Sequence, residues 1–203
     1  MKRREFLYRL LLSSCQESTR YTFFLKNLFQ IQSKNTLPRS IWGDMKHLPK
    51  LFIETTVFNF LFEGKQGQKH KDATRLFDEI SKGRYKAYTS QAVLRELEAA
   101  PEEKRERMMA LYTKFIEDIL KSSEEAEHLA KTYIEKRIIP EKYRTDALHI
   151  AIAAVNNLDF VVSFNQSHIV KTKTMIGAGF VNLRHGFKQI GLGTPMEVLE
   201  YDP

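Results

Sequence analysis

The sequence predicts an α/β fold: three layers, α/β/α, around a central parallel sheet. Short apolar runs alternate with amphipathic stretches between residues 50 and 165, the pattern of a parallel sheet covered by helices on both faces. The segment RTDALHIAIAAVNNLDFVVSFN, residues 144 to 165, surrounds most of a helix with apolar side chains. It then runs without interruption through Phe160, Val161 and Val162, so both pieces belong in the interior. Polar side chains stand at the ends of the apolar runs, where ligands gather in such folds.

With 42% hydrophobic residues, a chain of 203 can bury a core as one domain, here expected over residues 45 to 203. Cys15 is the single cysteine, which excludes an intrachain disulfide and a Cys-built zinc site and suits the reducing cytoplasm. No apolar run approaches a membrane span. The net charge of +7 suggests nucleic acid until it is divided along the chain. The first 50 residues hold ten Lys and Arg against three Asp and Glu, leaving 22 of each sign in the remainder. Any nucleic-acid binding by the domain must therefore rest on local patches and site chemistry rather than on pI.

The basic leader, residues 1 to 44, is not a secretory signal, because Arg9 interrupts its apolar run and no small-residue cleavage site follows. The faint lipoprotein box at Leu11-Leu12-Ser13-Ser14-Cys15 meets the same objection, and an organelle presequence suits the composition better. Met45 opens MKHLPKLFIETT just ahead of the first strand. Two readings follow: an over-extended translation, or an amphipathic extension that belongs to the protein.

Taken in order, Leu51-Phe52-Ile53 is the first strand, ended by Glu54. Thr55 and Thr56 can cap a helix built on VFNFLF, in which Phe58 and Asn59 serve packing. Residues 64 to 71 read as a polar loop. Residues 72 to 82 place Ala73, Leu76, Phe77 and Ile80 on one helical face, and Gly83 ends that helix. Residues 85 to 88 form the second strand, and Thr89-Ser90 cap a helix with Val93, Leu94 and Leu97 on its core side. Pro101 starts a helix expected to continue to about residue 120, and Ser122-Ser123-Glu124-Glu125 is a capping-box pattern opening another to about residue 137. These two are expected to form a charged hairpin. The pairs Glu103 with Arg107, Glu117 with Lys121, and Glu127 with Lys131 have the helical spacing that supports its surface.

Glu54 ends the first strand, Glu96 follows the second, Asp146 heads the apolar helix, and Asn165 closes the last strand. Two carboxylates about 4 Å apart repel by roughly 4 kcal/mol at an effective dielectric near 20, so a convergent trio calls for protons or a cation. Hard oxygen donors without cysteine suit Mg²⁺ or Mn²⁺, with His149 and His168 as accessories at most. His149, one turn beyond Asp146, fits helix packing better than direct ligation. Lys142, Arg144, Lys171 and Lys173 flank these positions and could hold phosphate groups as point contacts.

These residues lie in segments that resemble a PIN domain, the nuclease fold of the VapC toxins of toxin–antitoxin systems. The matching pieces are FIETTVFNF, YTSQAVLRELE, IPEKYRTDALHIAIAA, DFVVSFNQSHI and the tail VNLRHGFKQIGLGTPMEVLEYD, spanning most of residues 50 to 203. The resemblance implies metal-dependent hydrolysis of RNA phosphodiesters, with Glu54, Glu96 and Asp146 at the family's first three acids holding Mg²⁺ or Mn²⁺. Asn165 stands at its fourth acidic position, and Thr56 where a small hydroxyl residue often touches the metal site. It also implies an antitoxin partner and a homodimer. Glu54 departs from the family's Asp by one methylene, which leaves two readings: a ligand with an adjusted rotamer, or a weakened nuclease that binds RNA or a partner.

Overall fold

The computed structural model describes residues 48 to 62 and 67 to 200. The leader with Cys15, and the side chains of Glu103 and Arg107, lie outside the described residues. Five strands form one parallel sheet: β1 Lys50–Ile53, β2 Lys86–Ser90, β3 Ile116–Leu120, β4 Phe160–Val162 and β5 Gly191–Gly193, in the spatial order β3-β2-β1-β4-β5. The described helices are α1 Thr55–Phe62, α2 Gln68–Ser81, α3 Gln91–Glu98, α4 Glu102–Phe115, α5 Glu124–Glu135, α6 Arg144–Val155, α7 Thr172–Arg184 and α8 Pro195–Leu199, with a 3₁₀ turn at Glu141–Tyr143. Helix α1 packs on α2 and α4, and α2 on α8; separately, α5 packs on α6 and α7. These are the two outer layers of the expected α/β/α sandwich.

The chain moves outward from β1 through β2 to β3, then crosses back to place β4 on the other side of β1. That reversal makes the carboxyl ends of β1 and β4 the switch point, where open α/β sheets bind ligands. Leu51, Phe52, Ile53, Val161 and Val162 are fully buried, as strands covered on both faces must be. Helix α6 buries Ala147, Ile150, Ala151, Ile152, Ala153 and Ala154, so its apolar circumference is met by protein nearly all round.

The segment after Pro101 differs from the sequence expectation. Helix α4 ends at Phe115, and residues 116 to 120 form strand β3, paired with β2 through Ala87 to Ile116 and Ser90 to Leu120. The expected charged hairpin is therefore two helices separated by an edge strand. Ile116 and Ile119 are β-branched and fit a ladder against β2, which outweighs the helical spacing of the charges. Glu117 consequently lies in a strand. Glu127 pairs with Arg144 at 3.9 Å, while Lys131 pairs with Glu135 at 3.6 Å. Helix α2 begins at Gln68, inside the expected loop, and Gly83 at φ 71° ends it as expected. Ser90 and Ser123 cap α3 and α5, accepting from the amides of Val93 and Ala126. With alanine at the third position of α5, Ser123 gives a simple cap. The reciprocal capping box occurs instead at Thr194 and Glu197.

Candidate active site

Strand β1 ends at Ile53, and the next residue, Glu54, is only 5% exposed. Its amide donates to the Val162 carbonyl at 3.1 Å, extending the sheet by one bond, while its carbonyl accepts from Val57 at 3.1 Å to start α1. The residue is thereby fixed at the carboxyl end of β1. Its Oε2 accepts the Thr56 amide at 3.0 Å, the Thr56 hydroxyl, and the Ser163 hydroxyl at 2.8 Å. Among the described residues, Oε1 accepts no hydrogen bond. Burial raises the Glu54 pKa, the hydroxyl and amide bonds oppose that rise, and the charge of Glu96 adds to it.

Asp146, in the first turn of α6, is half-buried and accepts Asn165 Nδ2 on Oδ2 at 3.0 Å. Its pKa is raised to about 6, first by burial and then by the charges of Glu54 and Glu96, against the opposing Asn165 amide. Asn165 is held in turn: its amide donates to Ser163 Oγ at 2.9 Å, and its Oδ1 accepts the His168 amide at 3.1 Å. Glu96 projects from exposed positions of α3 and accepts the Thr55 hydroxyl. The threonines thus lie inside the first turn of α1 with hydroxyls directed to carboxylates instead of capping the helix, since an ionised oxygen is the stronger acceptor.

Glu54, Glu96 and Asp146 form one electrostatic group at the switch point, and among the described residues no Lys or Arg forms an ion pair with any of them. Unbalanced carboxylates with hard oxygens suit a divalent Mg²⁺ or Mn²⁺ in chemical kind. Among the described residues, no three carboxylate, imidazole or thiol groups are gathered closely enough around one point to hold an ion as they stand.

No protein-family model matches the chain, and no curated protein matches it. Solved structures similar to it include two VapC-containing ones. One is VapBC2 from Rickettsia felis bound to a DNA fragment from their promoter, 14% identical, covering 71% of this chain and 98% of that chain at a TM-score of 0.47. The other is VapC20 from Mycobacterium tuberculosis, a sarcin–ricin loop cleaving toxin, 15% identical, covering 69% and 98% at a TM-score of 0.45. At TM-scores below 0.5 the likeness carries no inference about activity.

The remaining expected positions separate into two groups. His149 is buried against the Phe52 ring, centroids 5.4 Å apart, with both ring nitrogens unpartnered among the described residues, so it serves packing. Phe58 likewise lies in the core, tilted against Phe77. Arg144 turns to Glu127 and Glu141, and Lys173 Nζ donates to the Arg137 carbonyl at 2.9 Å, so both are engaged with protein. Lys142 and Lys171 stay exposed near the His168 ring. Sequence reasoning missed Thr55 and Ser163 as carboxylate partners. Ser163 directly follows the buried β4 run, and that position at a strand's carboxyl end was the available signal.

Proposed function

We propose that this chain is a metal-dependent endoribonuclease that hydrolyses RNA phosphodiester bonds, of the kind found as toxins in toxin–antitoxin pairs. The observation that carries the reading is the mutual repulsion of Glu54, Glu96 and Asp146, without a cationic partner among the described residues, near the switch point of a parallel sheet. Those three carboxylates would hold Mg²⁺ or Mn²⁺, which when bound supplies a hydroxide from water and positive charge for the developing phosphorane-like anion. The protein's own groups position the acids. Asn165 orients Asp146, while Thr56 and Ser163 hold Glu54 through one oxygen and leave the other for a ligand. The sequence resemblance to PIN domains supports the same reading, and with it an antitoxin partner and a homodimer in the cytoplasm.

A second reading is favoured by one feature. Glu54 is folded onto its own hydroxyl donors, and no three ligating groups are gathered as they stand. On that reading the chain is a PIN-like scaffold that binds RNA or a protein with weakened catalysis. Purified protein incubated with single-stranded RNA separates the two. The nuclease reading expects cleavage in Mn²⁺, removed by chelator, and lost by more than about 100-fold in Asp146→Asn, beyond the drop typical of residues that only orient a ligand. Absence of cleavage by the native chain in either metal, with activity appearing in Glu54→Asp, sinks it in favour of the scaffold.

A further inference from the structure

Next to Asn165 and Asp146 lies a ring pair that the proposed chemistry does not use. Tyr143 and His168 stack with centroids 3.3 Å apart and planes 23° from parallel. Both rings are half-buried, so the pair is anchored yet retains an accessible surface. Its placement is fixed by backbone: the His168 amide donates to Asn165 Oδ1, and its carbonyl accepts the Thr174 hydroxyl at 2.8 Å. Tyr143 ends the 3₁₀ turn that leads into α6, three residues ahead of Asp146. The stack is thus joined to both Asn165 and Asp146.

Two ammonium groups border it. Lys142 Nζ lies 4.8 Å from the Tyr143 ring centroid, and Lys171, three residues after His168, is close enough for its charge to act on that imidazole. Among the described residues, neither lysine has an acidic partner, whereas their neighbours Arg144 and Lys173 are engaged with protein. An aromatic stack with one ammonium over its Tyr143 ring and a second near its His168 ring matches two features of single-stranded nucleic acid: an unpaired base with a π-face and a neighbouring phosphate.

We propose that the Tyr143–His168 stack, with Lys142 and Lys171, is a nucleotide subsite that takes an unpaired RNA base on its open ring face and the adjacent phosphate on the two lysines. The subsite rests on the ribonuclease reading above. It places the nucleotide beside the one whose phosphodiester faces the acids, and it gives a local cationic grip on a polyanion to a chain whose residues 51 to 203 carry no net charge.

The test is fluorescence anisotropy of a labelled single-stranded RNA pentamer with the full chain in Ca²⁺, followed across a salt series. His168→Ala is expected to weaken binding by about 5- to 100-fold, the range of one lost base stack. His168→Phe is expected to retain it, because a ring remains. Replacing Lys142 and Lys171 together with Ala should lower the slope of log affinity against log salt by about 0.7, the value for one phosphate contact on a single strand. If His168→Ala binds like the native chain, or if Phe fails to restore binding to a variant that folds normally, the stacking subsite is overturned while the nuclease reading stands. If the native chain binds the pentamer in neither Ca²⁺ nor Mn²⁺, the RNA reading itself fails and the subsite with it.

Discussion

Asp146 and His149 stand one turn apart on α6, and burial drives their pKa values in opposite directions. Asp146 is raised from 3.8 to about 6, so the metal-free folded state holds its proton more tightly than the unfolded chain does. Stability from this group is therefore present at low pH and falls as pH rises from 3.8 through about 6, by at most about 3 kcal/mol for a half-buried carboxyl. His149 is lowered from 6.5 to about 4, so the folded state resists its protonation, and stability falls as pH drops from 6.5 towards 4. Two variants separate these effects in metal-free unfolding experiments. Asp146→Asn should raise the melting temperature at pH 7, since it removes a charge repelled by Glu54 and Glu96 while an amide oxygen can still accept from Asn165. A lower melting temperature at pH 7 would show that the carboxylates do not strain the fold. His149→Leu should stabilise more at pH 5 than at pH 7, by about 2 kcal/mol, and equal gains at the two pH values would place the imidazole's titration elsewhere. At the same scale, Asn165→Ala should reduce Mn²⁺-dependent cleavage by roughly 10- to 100-fold, the usual effect of a residue that only orients a ligand.

Among the elements, the two thin edges of the sheet were the least legible in the sequence. Central β1 and β4 announced themselves through uninterrupted apolar runs, and α6 through apolar residues on every side. Strand β3 carries exposed Glu117 and Asp118 between its isoleucines, so it reads as the tail of a charged helix, and only pairing with β2 makes it a strand. Strand β5 is the tripeptide Gly-Leu-Gly, with too few side chains to show a period. Tertiary packing explains its composition: a Cβ on Gly191 would lie 2.3 and 2.4 Å from carbons of the Phe160 ring, its partner on β4. Gly191→Ala should consequently destabilise by about 1 to 3 kcal/mol in denaturant unfolding. A change below about 0.5 kcal/mol would mean that the Phe160 ring moves aside freely. The site divides the same way. Asp146 was legible because a carboxylate heading an apolar helix is chemically conspicuous, whereas Glu96 sits exposed on α3 like any solvated helix charge, and the Thr55 hydroxyl with its field on Glu54 and Asp146 marks it.

For the molecule as a whole, the acids belong to segments far apart in sequence: Glu54 after β1, Glu96 on α3, and Asp146 on α6. Segments that repel one another across the switch point weaken the metal-free fold, and a shared cation would reverse the sign by tying the two halves of the sheet together. Metal binding and folding should then be linked: an ion that binds only the folded chain stabilises it by about 2.7 kcal/mol at 100 times its dissociation constant. For a domain of this size each kcal/mol is worth roughly 2 to 4 °C, so saturating Mn²⁺ should raise the melting temperature by roughly 5 to 10 °C. Protonation competes for the same oxygens, so the rise should shrink as pH falls through about 6, where Asp146 takes up its proton. Asp146→Asn should begin from a higher metal-free melting temperature and gain little from Mn²⁺, a reversal that a merely structural carboxylate would not produce. Differential scanning calorimetry of both chains, with Mn²⁺ and with chelator at pH 5 and 7.5, reads these shifts. A melting temperature indifferent to Mn²⁺ in the native chain at pH 7.5 would sink the shared-cation explanation for the three acids, whatever the RNA assays show.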